Sequence, residues 1–344
     1  MRKLWVVILA AGLVAGACGN DADDGPSQAG DGDGGGSGSL TVYSGREKDL
    51  VGPLFERFER ETAIALNVRY GDTAELAAQI LEEGSNSPAD VFFGQDAGVL
   101  GALAKADRLA ALPEDVLDTV AAGFRSSEGV WVGTSGRART VVYNTDALSE
   151  ADLPGSILDF TDAAWKGKVG WAPTNGSFQA FVTALRAIEG EDGAREWLEA
   201  MKANDAQVYE KNGAIVQAVI DGEVEVGFVN HYYLMRVLAE SPEAAGANLF
   251  LPGGDPGALV NVAGVGILSD SNASLAALEF VRFLLSEESQ QYFAGETFEY
   301  PLIDGVDASE GLPPLGTIEQ PDIDLSDLDD LEGTLDLLRE VGLV

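Results

Sequence analysis

Two α/β lobes with a cleft between them are what this 344-residue sequence predicts. Three observations carry the expectation. Short β-rich runs alternate with amphipathic helical runs, the pattern of βαβ units. Two long apolar β-rich stretches, "WVGTSGRARTVVYNTDAL" and "GALVNVAGVGILSD", break that alternation where a chain would cross between lobes. Length and a hydrophobic content of 46% suffice for two cores.

The elements follow in order. Leu40–Tyr43 is a short β-rich run, and Ser44-Gly45 turns the chain. From Lys48 to Glu61, Leu50, Val51, Leu54, Phe55 and Phe58 recur at helical spacing with charges between them. "IALNVRY" is the next strand, "TAELAAQILEEG" an amphipathic helix, and "ADVFFGQ" a buried strand ending in a Gly-Gln-Asp loop. Open α/β sheets gather ligands at the carboxyl ends of their strands, which points to Ser44–Glu47 and Gly94–Asp96. The first long crossing reads as two strands separated by a Ser-Gly break. "WKGKVGWAPTNGSFQAFVTALRAIEG" gives strand, loop and a helix from about Ser177 to Gly190. "GAIVQAVIDGEVEVGFVNHYY" gives a helix, a turn at Asp221-Gly222 and a strand ending at Tyr232-Tyr233. The second long stretch is the return crossing. Leu275–Phe293 is an amphipathic helix, and the acidic "QPDIDLSDLDDLEG" covers a surface before a final helix.

Arg2 and Lys3 precede an apolar run from Leu4 to Ala15, too short to span a bilayer and of signal-peptide proportions. Small residues then lead to Cys18, the chain's single cysteine, so no disulfide can form within one chain. The pattern resembles a bacterial lipoprotein signal, with residues 1–17 removed and Cys18 lipidated; the plainer reading is an ordinary signal peptide with an incidental cysteine. Gly, Asp and Ser dominate up to residue 38, the composition of a flexible tether. Together these place the folded body outside the cytoplasm, held at the outer face of the cell membrane or free in the periplasm, with a lipid anchor as its membrane contact.

The net charge is -36, from 57 acidic against 21 basic residues. Such a surface repels nucleic acid and excludes it as a partner. The excess acid suits either cation attraction or solubility. One histidine and one N-terminal cysteine exclude the usual zinc and thiolate clusters. No nucleophile elbow, P-loop or dinucleotide fingerprint is present, so binding rather than catalysis is expected.

Two motifs remain. In "PTNGSF", Asn175, Gly176 and Ser177 stand where a strand meets a helix. Helix N-termini present unpaired N–H groups and a positive dipole end, which suits an anion; the same residues serve equally as an ordinary N-cap. Tyr232 and Tyr233 are either packing aromatics or, once deprotonated, hard oxygen donors for a trivalent cation.

From about Leu40 to Val344 the chain resembles the bacterial periplasmic ferric-ion-binding proteins, the solute-binding components of iron ABC transporters. "LTVYSGREK", "ELAAQILEEGSNSPADVFFGQD", "SGRARTVVYNT", "LSEADLPGSILDFTDAAWKGKVGWAPTNGSFQAFVTA", "KNGAIVQAV", "GEVEVGFVNHYY", "DPGALVNVAG" and "EYPL" carry the resemblance, in that order. It implies a type II periplasmic-binding-protein fold: two α/β lobes joined by hinge β-strands, with residues 39–139 and 264–314 in one and 140–263 and 315–344 in the other. It implies Fe3+ as cargo with a phosphate- or carbonate-like anion, delivery to a membrane ABC permease, and a monomer.

In one branch of the family Fe3+ is held by two adjacent tyrosines, a histidine, a glutamate, an anion and water. The tyrosines match Tyr232 and Tyr233, and the anion-binding positions match Asn175, Gly176, Ser177, Asn212 and Asn230. Phe178 stands where another branch has a third tyrosine, which favours the anion-dependent branch. The family's histidine falls at Glu47 and its glutamate at Gln95. Glu47 is then the expected first-lobe ligand, with Gln95 or Asp96 beside it. The alternative is the same fold with a phosphonate, another oxyanion or a small organic solute as cargo. Arg137 and Arg139 either orient cleft carboxylates or bridge the lobes, and His231 is not expected to be a ligand.

Overall fold

The computed structural model describes residues 38–344. The signal-like segment 1–17, Cys18 and the tether up to residue 37 lie outside the described residues. The first lobe begins with β1 (Ser39–Ser44), α1 (Lys48–Thr62), β2 (Ala65–Tyr70), α2 (Thr73–Glu83), β3 (Val91–Gly94), α3 (Ala97–Lys105) and the short α4 (Glu114–Leu117). A long strand, β4 (Val132–Tyr143), leads to β5 (Val169–Trp171), α5 (Gly176–Ala203), β6 (Gln207–Val208), α6 (Asn212–Ile220), β7 (Val226–Asn230), α7 (Tyr232–Glu240) and β8 (Ala247–Leu249). The return strand β9 (Val260–Ile267), α8 (Ser274–Leu284), α9 (Glu287–Tyr292) and α10 (Leu331–Val341) complete the described chain.

The strands follow one path, β2-β1-β3-β9-β4-β7-β5-β6, with β8 added on β4. Strand β4 joins the two halves. Its first part pairs antiparallel with β9, from Val132 opposite Val265 to Ala138 opposite Val260. Its second part pairs antiparallel with β7, from Arg139 opposite Asn230 to Tyr143 opposite Val226. All twelve residues of β4 are buried. The partner therefore changes between Ala138 and Arg139, and that step is the hinge. Where two strands with a break were expected, one continuous strand runs, because a register shift between Gly133 and Ser135 absorbs the irregularity.

β1 pairs parallel with β2 and β3, and β5 with β6 and β7, while the crossing strands run antiparallel, β9 to β3 and β4 to β7. The turns after β1, β3, β5 and β7 thus carry the candidate residues, as the strand-end rule requires. Separate apolar cores support the halves. Phe55, Phe58, Phe93 and Phe280 pack in the first, and Trp171, Phe178, Phe181 and Trp197 in the second.

Besides β4, the expected helix Leu275–Phe293 breaks after Leu284 into α8 and α9, and three further elements depart from expectation. Helix α5 passes Gly190, where φ is 77°, and resumes to Ala203; glycine alone takes that conformation without strain. Strand β7 stops at Asn230, and Tyr232-Tyr233 open α7 instead of ending a strand. The C-terminal tail does not join the second lobe at residue 315. Leu315, Ile318, Leu325 and Leu328 pack with the first core, and Leu337, Leu338 and Val341 with the second. The reason lies on α3: a Cβ at Gly98 would stand 2.0 Å from the Leu328 carbonyl oxygen, and one at Gly101 2.2 Å from that of Ser326. Only a bare helix backbone admits the tail so closely.

Candidate functional site

The tyrosine pair is placed by the residue before it. The N–H of His231 donates to the Ala138 carbonyl at the hinge (3.0 Å). Its buried ring accepts at Nδ1 from the Ala138 N–H (3.2 Å), so Nε2 carries the proton and donates to the Phe298 carbonyl (2.8 Å). The ring also lies 4.7 Å from that of Tyr300. His231 is thus a neutral strut between hinge and first lobe, with no nitrogen left for a ligand. Burial pushes its pKa down to about 4, against the Phe298 and Ala138 backbone bonds. The unfolded value is near 6.5, so the unfolded chain binds the extra proton first. Stability is full above pH ~6.5 and falls as pH drops toward ~4, by about 3 kcal/mol for this group. His231→Gln is expected to flatten that part of the pH profile, read from urea midpoints at pH 7 and 4.5.

With that anchor, Tyr232 and Tyr233 occupy the first turn of α7, their rings stacked at 4.5 Å and 28°. Tyr232 is 5% exposed. Burial, then Tyr232, pushes the Tyr233 phenol well above its ordinary range; Asn212 and Arg137 act in the opposite direction. A proton therefore stays on Tyr233 at neutral pH unless a strong cation displaces it.

The loop after β5 joins them through Asn212. Asn175 caps α5 by accepting from the Ser177 N–H (3.1 Å) and Oγ (2.6 Å). The Asn212 amide donates to Ser177 Oγ (2.9 Å) and to Asn175 Oδ1 (3.3 Å), while its own Oδ1 is buried without a partner among the described residues. Capping is thus satisfied, and no atom lies within 4 Å of where a Cβ on Gly176 would stand. Asn230 receives Arg139 Nη1 at 3.4 Å. A cavity of about 570 Å3 is lined by Gln95, Asp96, Arg137, Asn175, Gly176 and Ser177, among others.

The first-lobe candidates are less closely gathered. Gln95 is half-buried, its N–H donating to Thr73 Oγ1 (3.3 Å) and its carbonyl accepting from Arg137 Nη2. Asp96 caps α3 through the Gly98 N–H (2.8 Å) and also accepts from Asn261. Burial raises its pKa, with Arg137 opposing. Its oxygens are engaged, so it is not free to swing into the cleft without uncapping α3. Glu47 is exposed at the start of α1, does not cap that helix, and lines a separate shallow depression with Lys48, Asp49 and Tyr70.

One buried pair escaped the sequence reading. Arg46 Nη2 donates to both oxygens of Glu299 (2.7 and 2.9 Å), and Ser135 Oγ donates to the same carboxylate (2.6 Å). The two side chains are 2% and 0% exposed. Burial pushes Glu299 up, but Arg46, then Arg137 and Ser135, hold it below the ordinary carboxylate range. Burial lowers Arg139 to about 10, with both tyrosines opposing. The one signal for Glu299 was a lone acid inside the apolar run "FEYPL".

A model of the bacterial extracellular solute-binding protein family matches residues 84–324. Over 308 residues the chain is 35% identical to the major ferric iron-binding protein of Neisseria meningitidis serogroup B, covering 88% of this chain and 93% of that one. Its fold superposes on iron-bound HitA from Pseudomonas aeruginosa with a TM-score of 0.83 at 35% identity, covering 89% of this chain and 100% of that one. A Trichodesmium protein (IdiA, FutA) in complex with iron and citrate superposes with a TM-score of 0.78 at 29% identity, over 89% and 100% of the two chains.

Proposed function

Because the chain belongs to the family of bacterial extracellular solute-binding proteins that includes the major ferric iron-binding proteins, we propose that it captures Fe3+ between its lobes together with a small anion. The observation that carries this reading is the stacked Tyr232–Tyr233 pair, linked through Asn212 to the helix-capping loop at Asn175–Ser177. Two phenolates form a hard anionic site, and hard oxygen donors suit a hard trivalent cation. Metal binding displaces the phenolic protons, including the one that burial holds on Tyr233. Asn175, Gly176, Ser177, Asn212 and Asn230 receive a phosphate- or carbonate-like anion, which completes the metal's oxygen shell; the citrate held with iron by the Trichodesmium relative widens that class to small carboxylates.

Glu47 is carried toward the metal as the first lobe closes over the second, with Gln95 beside it. Lobes rotate about the β4–β9 hinge, and cargo touching both selects the closed form. The mechanism is binding and handover to an ABC permease by a monomer outside the cytoplasm, tethered through Cys18; no step is catalytic. A competing cargo, a small organic anion alone, is favoured by one observation, the size of the cavity, which falls in the range of organic-ligand pockets.

Titration of metal-stripped protein with chelated Fe3+, with and without phosphate, separates the two. A visible phenolate-to-iron band saturating at one iron per chain is expected, stronger with phosphate. No colour under either condition sinks the ferric reading and leaves the organic anion.

A further inference from the structure

The tyrosine pair has a charged neighbour that the binding scheme does not use. Arg236 lies one helical turn beyond Tyr232 on α7, the spacing at which side chains on a helix meet. Its guanidinium carbon stands 5.3 Å from the centroid of the Tyr232 ring. Its Nη2 is buried and has no hydrogen-bond partner among the described residues. Acidic residues number 57 in this chain, yet this guanidinium is turned to an aromatic face. An unpartnered buried donor costs free energy. The arrangement makes sense if the ring itself becomes the counter-charge. A neutral phenol offers only the partial negative charge of its π face. A phenolate offers a full negative charge delocalised into the same ring, and the attraction grows accordingly.

We propose that Arg236 is a positioning residue: it holds the Tyr232 ring by its face and stabilises the phenolate when a ferric ion is bound. The inference rests on the reading of Tyr232 and Tyr233 as iron ligands. It assigns Arg236 a role distinct from that of Arg46, Arg137 and Arg139, none of which stacks on either tyrosine ring among the described residues. A cation beside the ring lowers the energy of the phenolate electrons that are promoted to iron in the charge-transfer transition. The visible band is therefore held at shorter wavelength than an unaccompanied tyrosine pair would give. Because Tyr232 stacks on Tyr233, the same contact keeps the first turn of α7 ordered around the metal.

The experiment compares the full chain with Arg236→Met, which keeps length and packing but removes charge, and Arg236→Lys, which keeps charge. Each is loaded with one Fe3+ in phosphate, and the band position and iron affinity are read. Arg236→Met is expected to move the band to longer wavelength. It should also weaken iron binding roughly two- to thirtyfold, the span of cation–π strengths from exposed to desolvated sites. Arg236→Lys should lie close to the native chain on both. The proposal is overturned if the Met variant keeps the native band position, even with weaker binding, since packing alone would then explain the contact. It is equally overturned if Lys and Met shift alike. Absence of any band in the native chain overturns the ferric reading, and this role with it. If Arg236→Met does not fold, judged by a thermal melt of the metal-free protein, Arg236→Gln gives the same reading.

Discussion

A chain carrying Tyr232→Phe and Tyr233→Phe together shows no visible band with Fe3+ and binds the ion more than a hundredfold more weakly than the native chain. The bound is conservative. Loss of a partner one shell removed from a metal typically costs 10- to 100-fold, and here two candidate ligands vanish at once. The fold should persist. The stacked rings remain, and what disappears is two hydroxyls. A thermal melt of the metal-free variant within a few degrees of native, beside a colourless iron titration, is the expected pair of results. A double variant that still turns coloured at one iron per chain would place the metal elsewhere.

The second large effect is on stability. Glu299→Gln removes the carboxylate that neutralises Arg46, and both side chains are almost wholly buried. Breaking a buried pair from one side typically costs ~3–5 kcal/mol, because the remaining charge is stranded in low dielectric. Ser135 also loses a charged acceptor at 2.6 Å. For a domain of this size, the melting temperature should fall by roughly 10 °C. Replacing both partners, Arg46→Met with Glu299→Met, is expected to cost less than the single change, since no charge is then left unpaired. A melting temperature unchanged in Glu299→Gln would show that the pair carries no stability. A double variant worse than the single would show that packing, not charge, dominates there.

Much of this architecture was legible in the residues. Helical spacing of Val51, Leu54, Phe55 and Phe58 marks α1, and all four are buried. Asn175 and Ser177 announced a capped helix start, and Asn175 does cap α5. The tyrosines were harder. No side chain caps α7, so nothing local told that β7 would stop at Asn230 and a helix begin. Ser135-Gly136 looked like a break, yet bulges are accommodated only by knowing the partner strand, which lies more than a hundred residues on. The Arg46–Glu299 pair spans 253 residues, and no spacing rule reaches that far. Glu47 was read as a ligand because the family's histidine falls at its position; its exposure at the start of α1 depends on how the β1 turn packs. Gly45 fixes that packing, since a Cβ there would stand 2.0 Å from Thr73 Oγ1.

The tail clasped along α3 has a consequence for how the two halves depend on each other. Leu325 and Leu328 belong to the first core, and Leu337, Leu338 and Val341 to the second. One segment thus removes apolar surface from water in both halves at once. Loosening it unseats two cores together, so damage to the tail is felt on both sides of the cleft.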